Sequence, residues 1–250
     1  MCIRDRLIPT QMEGTLLFAD ISGFTPLMGT YIKELGRYRG TEELSQHLDS
    51  FFDTIIKHLY HYQGSVINFN GDAITCWFKD DLGYRALSAS RDIKKAITPF
   101  SALNISDTAF VAFELKISIT YGKVNRFVIG DERITKFDVI RGPALDRLIR
   151  AEEIAERGEV ILGKDVLKNC FEELEIKKWR EDAKGERFAI LEKLKSKTPI
   201  DPWPLIPELS REICQQWMLP PIFDKLIKGQ EDYLTELRLG IGCFLSLIHI

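Results

Sequence analysis

The chain has 250 residues, of which 45% are hydrophobic and 28% are charged, an ordinary composition for a globular protein. A formal net charge of -3 argues against nonspecific nucleic-acid binding as its main role, because such binding needs an excess of basic residues. Five scattered cysteines without a CxxC pair argue against a disulfide framework or a zinc ribbon and favour a reducing cytoplasm. No apolar run approaches the roughly 20 residues of a membrane-spanning helix, so we expect a cytoplasmic protein outside the membrane.

The first hundred residues predict a strand, a helix, a hairpin and a second helix. We expect residues 1–13, which begin "MCIRDR", to be disordered or artefactual. An apolar strand follows at residues 14–19, and apolar residues at helical spacing predict a long helix at residues 41–62. Two β-rich runs flank Asn-Gly in "GSVINFNGDAITCWF", which is the strongest short hairpin signal. A second helix is expected at residues 81–96.

The next hundred residues add strands and a third helix. "FELKISITYGKVNRFVIGDERITKFDVI" predicts two or three strands with a turn at Tyr121 and Gly122. A helix is expected at residues 143–156, with strands at residues 159–162 and 187–194. The resulting β-α-β-β-α-β order predicts one α+β, ferredoxin-like sandwich at residues 14–195. We expect its sheet to be mainly antiparallel, with extra strands and with helices covering one face.

The composition changes after this domain. Residues 196–235 include the Pro-rich run "KTPIDPWPLIP" and are predicted to be a linker with short helices. Residues 236–250 predict another apolar strand, which the end of the chain interrupts. The final "LSLIHI", like "MCIRDR", resembles an adaptor-derived translation, so we expect a fragment of a longer protein.

Two aspartates are predicted to meet at one edge of the sheet. Asp20 ends the first apolar strand, and Asp72 follows the Asn-Gly turn of the hairpin. The first strand and this hairpin are neighbours in the expected topology, so the two carboxylates converge. Two close negative charges repel each other, and a divalent cation removes that cost. Mg²⁺ prefers one or two carboxylates together with phosphate oxygens, so the pair predicts a magnesium and phosphate site.

The residues after Asp20 fit the phosphate part of this hypothesis. Gly23, Phe24 and Thr25 would supply backbone N–H groups at a helix start, where anions bind well. Glycine also lets the chain approach an anion closely. Simpler interpretations remain open, because a single Asp20 is typical of a helix cap and a single Asp72 is typical of turn chemistry.

These segments resemble a known family. "FADISGFT" and "INFNGDAITCWF" resemble the first strand and the hairpin of class III nucleotidyl cyclases. "SITYGKVNRFVIGDE" and "KFDVIRGPALDRLIRAEEI" resemble their later strands and following helix. The resemblance covers about residues 14–194 and is strongest to the first cyclase half of the bicarbonate-responsive, soluble-adenylyl-cyclase-like branch. It implies that residues 236–250 begin a second cyclase half.

The resemblance implies an adenylate cyclase that converts ATP to 3′,5′-cyclic AMP and pyrophosphate with two Mg²⁺ or Mn²⁺ ions. It assigns both metals to Asp20 and Asp72, with the Ile21 carbonyl as a further ligand. It also implies that the backbone of residues 22–25, from Ser22 to Thr25, holds pyrophosphate. Arg133 is implied as a phosphate contact, although an exposed hairpin arginine is an equally good interpretation.

The complementary half of the family's site is altered in this chain. Asn68 stands where the family has a base-reading lysine, and Asp146 falls near the position of a transition-state asparagine. Val139 falls near the second base-reading position. Arg150 falls near the catalytic arginine, although an exposed helix arginine is as good an interpretation. We therefore expect a metal-donating half that is inactive or weak alone and needs a partner, either a second cyclase domain of the full-length chain or a homodimer.

Two other functions are compatible with parts of this sequence. The first is a noncatalytic nucleotide-binding or regulatory module that keeps the cyclase fold and heterodimerises. The second is a palm-type polymerase or diguanylate cyclase relative, which also carries carboxylates on a related sheet. The absence of a GGDEF-like sequence argues against the second.

Overall fold

The computed structural model describes residues 10–106, 109–131, 134–196, 198–199 and 209–229. The described segments contain ten strands and seven α-helices, together with two short 3-10 turns. In chain order they are β1 (Thr10–Ile21), α1 (Phe24–Leu35), α2 (Arg37–His61), β2 (Ser65–Asn70), β3 (Ala73–Lys79), α3 (Tyr84–Ala96), β4 (Leu103–Ser106), β5 (Ala109–Val111), β6 (Leu115–Asp131), β7 (Thr135–Arg141), α4 (Pro143–Glu153), β8 (Val160–Leu162), α5 (Lys164–Cys170), β9 (Leu174–Glu181), β10 (Arg187–Leu194), α6 (Arg211–Gln216) and α7 (Pro220–Ile227).

An eight-stranded sheet organises the fold. Its order is β2-β3-β1-β6-β8-β10-β9, and β7 pairs with β6 beside this path. The β6–β8 pair is parallel, and the other described pairs of this sheet are antiparallel. The predicted α+β class with a mainly antiparallel sheet is therefore confirmed. β1 lies inside the sheet between β3 and β6, whereas β2 lies at its edge.

Helices cover both faces of the sheet, which corrects the prediction of a single covered face. On one face, Leu17 of β1 shares a large core with residues of α2 and α3 such as Phe51 and Leu87. On the other face, Leu16 and Trp77 pack with Leu148 of α4 in a smaller cluster. Because side chains alternate along a strand, Asp20 belongs to the face of Leu16, which is the α4 face.

Two predicted boundaries in the strands differ from the structure. β1 begins at Thr10, four residues before the predicted start, because it stays paired with β6 as far as Arg126. The turn expected at Tyr121 and Gly122 is wrong, since β6 continues through both residues. Gly122 lies opposite Gly14 of β1, and this pairing keeps the chain extended where glycine suggested a turn.

The helices before the hairpin also differ from the prediction. Gly36 has φ 78° and separates α1 from α2, so α2 begins at Arg37 and not at residue 41. Thr41 lies inside the helix, where its hydroxyl donates to the carbonyls of Arg37 and Tyr38. A hydroxyl bonded back into the preceding turn does not cap a helix, which explains the error.

The hairpin and the later elements follow the prediction more closely. β2 and β3 form the predicted hairpin, although Asn70 ends β2 and the two turn residues are Gly71 and Asp72. β10 has the predicted bounds. Helices α6 and α7 lie in the predicted linker. The strand predicted at residues 236–250 and most of residues 1–13 fall outside the described residues. In the parts of the chain that are described, no helix is long and apolar enough to cross a membrane.

Candidate active site

Asp20 occupies the end of a strand that is hydrogen-bonded on both sides. It lies opposite Ala73 of β3 and opposite Lys116 of β6. The preceding apolar residues of β1 are buried against helices on both faces, so the core fixes the position of this carboxylate. Its side chain keeps 19% of its surface exposed, which leaves the carboxylate accessible at the rim of the sheet.

Asp72 lies beside Asp20 in the turn of the neighbouring hairpin. Gly71 adopts φ 67°, as tight turns of this type require, and Asp72 immediately precedes β3. The Ile21 N–H donates to the Asp72 carbonyl at 3.0 Å, which ties the turn to the end of β1. An extended residue directs its N–H and C=O to the same side, so the Ile21 carbonyl also faces this turn.

The charges of the two aspartates interact. Burial raises the pKa of Asp20, and the negative charge of Asp72 raises it further. Hydrogen bonding to Lys116 acts in the opposite direction but does not overcome the desolvation. Burial thus makes the charged form of Asp20 less favourable than it is in water, and a bound cation would offset that cost.

Lys116 and Glu152 complete the polar cluster, and sequence reasoning missed both. The Lys116 ammonium lies 3.2 Å from the Asp20 carboxylate and contacts the Glu152 carboxylate of α4. Burial alone would lower the pKa of Lys116, but hydrogen bonds to Glu152 and Asp20 raise it. Only the register of β1 against β6 places Lys116 opposite Asp20, and the local sequence does not show that register.

The loop after Asp20 has the features of an anion site. Gly23 adopts φ 75° and is the N-cap of α1, which begins at Phe24, so a helix does start at the residues where one was expected. The first N–H groups of a helix lack intrahelical partners, so Phe24 and Thr25 present free donors. Pro26 has no N–H, and the Leu27 N–H donates to the Gly23 carbonyl at 3.2 Å. The anion donors of this loop are therefore concentrated at residues 23–25.

Ser22 differs from the expectation for this loop. The resemblance implies that the Ser22 N–H holds a phosphate oxygen. In the structure this N–H donates to the Glu114 carbonyl at 2.8 Å and is not available to a phosphate. Its hydroxyl oxygen, in contrast, is buried and has no hydrogen-bond partner among the described residues. A buried hydroxyl without a partner, two residues after Asp20, fits a site that gains a polar ligand.

Arg157 adds a cation to the loop. Its guanidinium lies so close to Gly23 that a methyl group on this glycine would overlap with Nη2. Arg157 is exposed and has no ion-pair partner within the described part of the chain. Sequence reasoning missed this residue because it follows α4, and only the docking of α4 brings it to the start of α1.

Arg150 does not join this cluster. Its guanidinium contacts the carboxylates of Asp182 and Glu186, near the turn between β9 and β10. On α4 it lies two residues, about 200° of rotation, from Glu152, which faces Lys116 and Asp20. The structure therefore gives Arg150 a role in joining α4 to the β9–β10 hairpin.

The other predicted residues lie apart from the aspartates or cannot be described. Asn68 is exposed on the edge strand β2, paired with Thr75 of β3. Asp146 is exposed in the first turn of α4, and Val139 is half-buried in β7. Arg133 lies outside the described residues.

The donor set fits a divalent ion that is completed by a substrate. Within the described segments, no group of three or more His, Cys, Asp or Glu side chains could hold a metal. Two carboxylates and a backbone carbonyl do not form a closed cage, but Mg²⁺ usually binds through one or two carboxylates plus phosphate oxygens. The N–H donors belong to the loop that follows Asp20, and Arg157 lies against Gly23 of this loop, so such oxygens could bind there.

Comparisons with known proteins show what the chain is similar to. No family model matches the chain. The chain is 27% identical over 169 residues to "Adenylate cyclase type 10" of Rattus norvegicus and 25% identical over 167 residues to the Homo sapiens protein. Each match covers 63% of this chain and 10% of the relative, so the chain spans about a tenth of the length of these relatives.

Solved structures share the fold. The adenylyl cyclase CyaB from P. aeruginosa has a TM-score of 0.63 and 18% identity, over 77% of this chain and 100% of that one. The dimeric guanylyl cyclase domain of the RhoGC fusion protein from Blastocladiella emersonii has a TM-score of 0.59 and 16% identity, over 75% and 98%. The chain is therefore homologous to adenylate cyclase type 10 over the matched segment, and its fold is that of class III adenylyl and guanylyl cyclase domains.

Proposed function

We propose that this chain is the metal-donating half of an adenylyl cyclase site that works with a second cyclase domain. The product would be 3′,5′-cyclic AMP, formed when the 3′ oxygen of ATP bonds to its α-phosphorus and the bond to pyrophosphate breaks. The main support is the position of Asp20 and Asp72 next to each other, close to the start of α1. The Ile21 N–H donates to the Asp72 carbonyl, and the charge of Asp72 raises the pKa of Asp20. ATP is chosen because the matched relatives are adenylate cyclases.

Asp20, Asp72 and the Ile21 carbonyl would hold two Mg²⁺ or Mn²⁺ ions. When bound, such ions would favour the deprotonated 3′ hydroxyl and neutralise charge on the phosphates. Support comes from the raised pKa of Asp20, to which burial and then the charge of Asp72 contribute, since a bound cation would offset both effects. The buried hydroxyl of Ser22 is a further polar atom that a bound ligand would satisfy.

The start of α1 would bind the polyphosphate. The N–H groups of Gly23, Phe24 and Thr25 point outward from a helix N-terminus, where the helix dipole favours negative charge. Arg157 lies over Gly23 and would contribute a charge-assisted hydrogen bond. These residues would orient the leaving pyrophosphate, and orientation accounts for much of the catalysis in phosphoryl transfer.

The remaining parts of the site would come from a partner. Asn68 offers a short neutral amide where a charged base contact is expected, and Asp146 would repel a polyphosphate. Arg150 is held by two carboxylates away from Asp20. We therefore expect residues 1–250 alone to make little or no cyclic nucleotide. A fold relative that is a dimeric cyclase domain supports a partner-dependent site.

A noncatalytic nucleotide-binding module is the second candidate. The observation that favours it is the ion pair between Lys116 and Asp20, because a lysine on a metal ligand weakens metal binding. Such a module would bind a nucleotide without requiring a divalent ion. Metal dependence of nucleotide binding therefore separates the two functions.

Binding of a nonhydrolysable ATP analogue, titrated with and without Mn²⁺, tests the proposal. We expect Mn²⁺-dependent binding that Asp72→Asn weakens at least about tenfold, since one ligand charge is lost. Asp53→Asn is the matched control, because Asp53 is an exposed carboxylate on α2. Binding that needs no metal and does not change in Asp72→Asn would favour the noncatalytic module.

An activity assay tests the need for a partner. Mixing the chain with a complete second cyclase half is expected to produce cyclic AMP, and the chain alone is not. Strong activity from the chain alone would contradict the partner requirement while leaving the metal site intact.

A further inference from the structure

We propose that Lys116 is a tethered cation that competes with divalent ions for Asp20, and that Glu152 retains its ammonium group when an ion binds. The inference rests on the proposed function in one respect, since it takes Asp20 as a metal ligand. It adds a residue that sets the metal affinity of the site.

The position of Lys116 is fixed by the sheet. It lies directly opposite Asp20 in the antiparallel pairing of β1 and β6, and directly opposite residues have their side chains on one face. Its ammonium lies 3.2 Å from the Asp20 carboxylate. Among the residues that the structure describes, it is the only ion-pair partner of Asp20. The ammonium thus occupies a place beside this carboxylate that a metal ion would also need.

Glu152 gives the ammonium a second partner. This carboxylate of α4 contacts Lys116 from the other side, so the ammonium bridges two acids. The side chains of Lys116, Asp20 and Glu152 are 22%, 19% and 24% exposed, so water screens them only in part. A lysine has a flexible four-carbon stem, and its ammonium can leave Asp20 and stay on Glu152 without a backbone movement.

The charge balance favours partial occupancy of the site. Asp20, Asp72 and Glu152 carry three negative charges, and Lys116 carries one positive charge. The remaining charge of about -2 matches one divalent ion and not two. A second ion therefore needs negative charge from elsewhere, and a triphosphate supplies it.

Removing the ammonium is expected to strengthen metal binding. A unit charge and a divalent ion about 5 Å apart repel each other enough, even in bulk water, to weaken binding about tenfold. Lys116→Met removes this charge and keeps an unbranched side chain of similar length. Lys116→Arg keeps the charge and is expected to resemble wild type. Glu152→Gln frees the ammonium for Asp20 and is expected to weaken binding.

The experiment is a Mn²⁺ titration followed by the electron paramagnetic resonance signal of the free ion, with no nucleotide present. Lys123→Met is the matched control: it removes the same charge from the same strand, seven residues or roughly 23 Å away. Lys123 is exposed, and that distance exceeds the Debye length at about 0.1 M salt. Thermal melting of each variant checks that it is folded. If Lys116→Met does not fold, Lys116→Gln removes the same charge with a polar side chain and provides the second test.

The outcomes separate this inference from the proposed function. Binding about tenfold tighter in Lys116→Met, with Lys123→Met unchanged, supports the competition. Equal affinity in wild type and Lys116→Met overturns it, even if Asp72→Asn still abolishes binding and the metal site stands. If Lys116→Met binds Mn²⁺ more tightly and adding Asp72→Asn does not change that affinity, Asp72 is not a metal ligand. This result would contradict the proposed two-aspartate site, while the competition between Lys116 and the ion at Asp20 would still hold. Weaker binding in Lys116→Arg than in wild type would also contradict a purely electrostatic role.

Discussion

Replacing Glu186 with glutamine would test whether the ion-pair cluster around Arg150 serves the fold and not catalysis. The Glu186 side chain is 15% exposed and accepts a hydrogen bond from Arg150. It also lies 3.0 Å from Nε of Arg147 and 3.3 Å from the Lys164 ammonium. Glutamine keeps the size of the side chain and removes its charge.

The expected loss can be worked out contact by contact. Hydrogen bonds to charged groups contribute about 1.5–3 kcal/mol and neutral ones about 1 kcal/mol, so the Arg150 contact loses about 1 kcal/mol. The Arg147 ion pair is largely buried and contributes about another 1 kcal/mol, whereas the Lys164 pair is exposed and contributes little. The free energy of unfolding should fall by about 2 kcal/mol at pH 7. In a domain of this size, that loss lowers the melting temperature by about 4–8 °C.

The loss should depend on pH. Burial alone would raise the pKa of Glu186, but hydrogen bonds from Arg150 and Lys164 and the charge of Arg147 lower it below its ordinary value of 4.5. Between the two pKa values, the unfolded chain binds the proton and the folded chain does not, so stability rises with pH. The contribution of Glu186 is therefore complete above about pH 5 and is lost as the pH falls through the lowered pKa.

Urea unfolding of wild type and Glu186→Gln at pH 7, 5 and 4 is the assay. Glu192→Gln is the control, because Glu192 is 50% exposed and lies 4.0 Å from its partner Lys177. The stability difference should shrink as the pH falls, and Mn²⁺ affinity should be unchanged. Equal stability at pH 7, a difference that persists at acid pH, or a loss of metal binding would refute the reasoning.

Four further substitutions test the phosphate loop, the helix α1 that follows it and the altered half of the site. Gly23→Ala should lower the free energy of unfolding by about 1–2 kcal/mol, because Gly23 has φ 75° and Arg157 occupies the space of a methyl group. A higher melting temperature in this variant would contradict the left-handed backbone conformation at Gly23. In the same helix, Gly29→Ala meets nothing within 4 Å and should stabilise by about 0.5–1 kcal/mol, and destabilisation there would contradict the helical assignment. Arg157→Met should weaken Mn²⁺-dependent binding of an ATP analogue about tenfold, because one charge-assisted hydrogen bond is lost. Its affinity for Mn²⁺ without nucleotide should not change. Equal affinity of wild type and variant for the analogue would show that Arg157 does not contact the phosphates. Asn68→Lys on the exposed edge strand β2 should fold normally and increase analogue affinity about tenfold when a partner domain is present, and an unchanged affinity would show that Asn68 does not face the base.

Local sequence signals predicted the elements that carry the two aspartates. The Asn-Gly turn and the alternating β-rich runs around it define the hairpin, and the apolar run before Asp20 defines β1. Local signals could not show that Lys116 lies opposite Asp20, because register is set by the pairing of β1 and β6 over their whole length. They also could not show which way Arg150 faces, since the packing of α4 through Ala144, Leu148 and Ala151 decides it. Arg157 was missed for the same reason.

The sheet order gives the two aspartates unequal mechanical support. Asp20 belongs to a strand held on both sides, whereas Asp72 belongs to a hairpin whose outer strand, β2, is hydrogen-bonded on one side within the described sheet. An ion that bridges them would link the β2–β3 hairpin at the edge of the sheet to the central strand β1. Amide hydrogens of Phe69 and Gly71 should then exchange more slowly on ion loading, while those of Leu17 and Ala19, already protected, should hardly change.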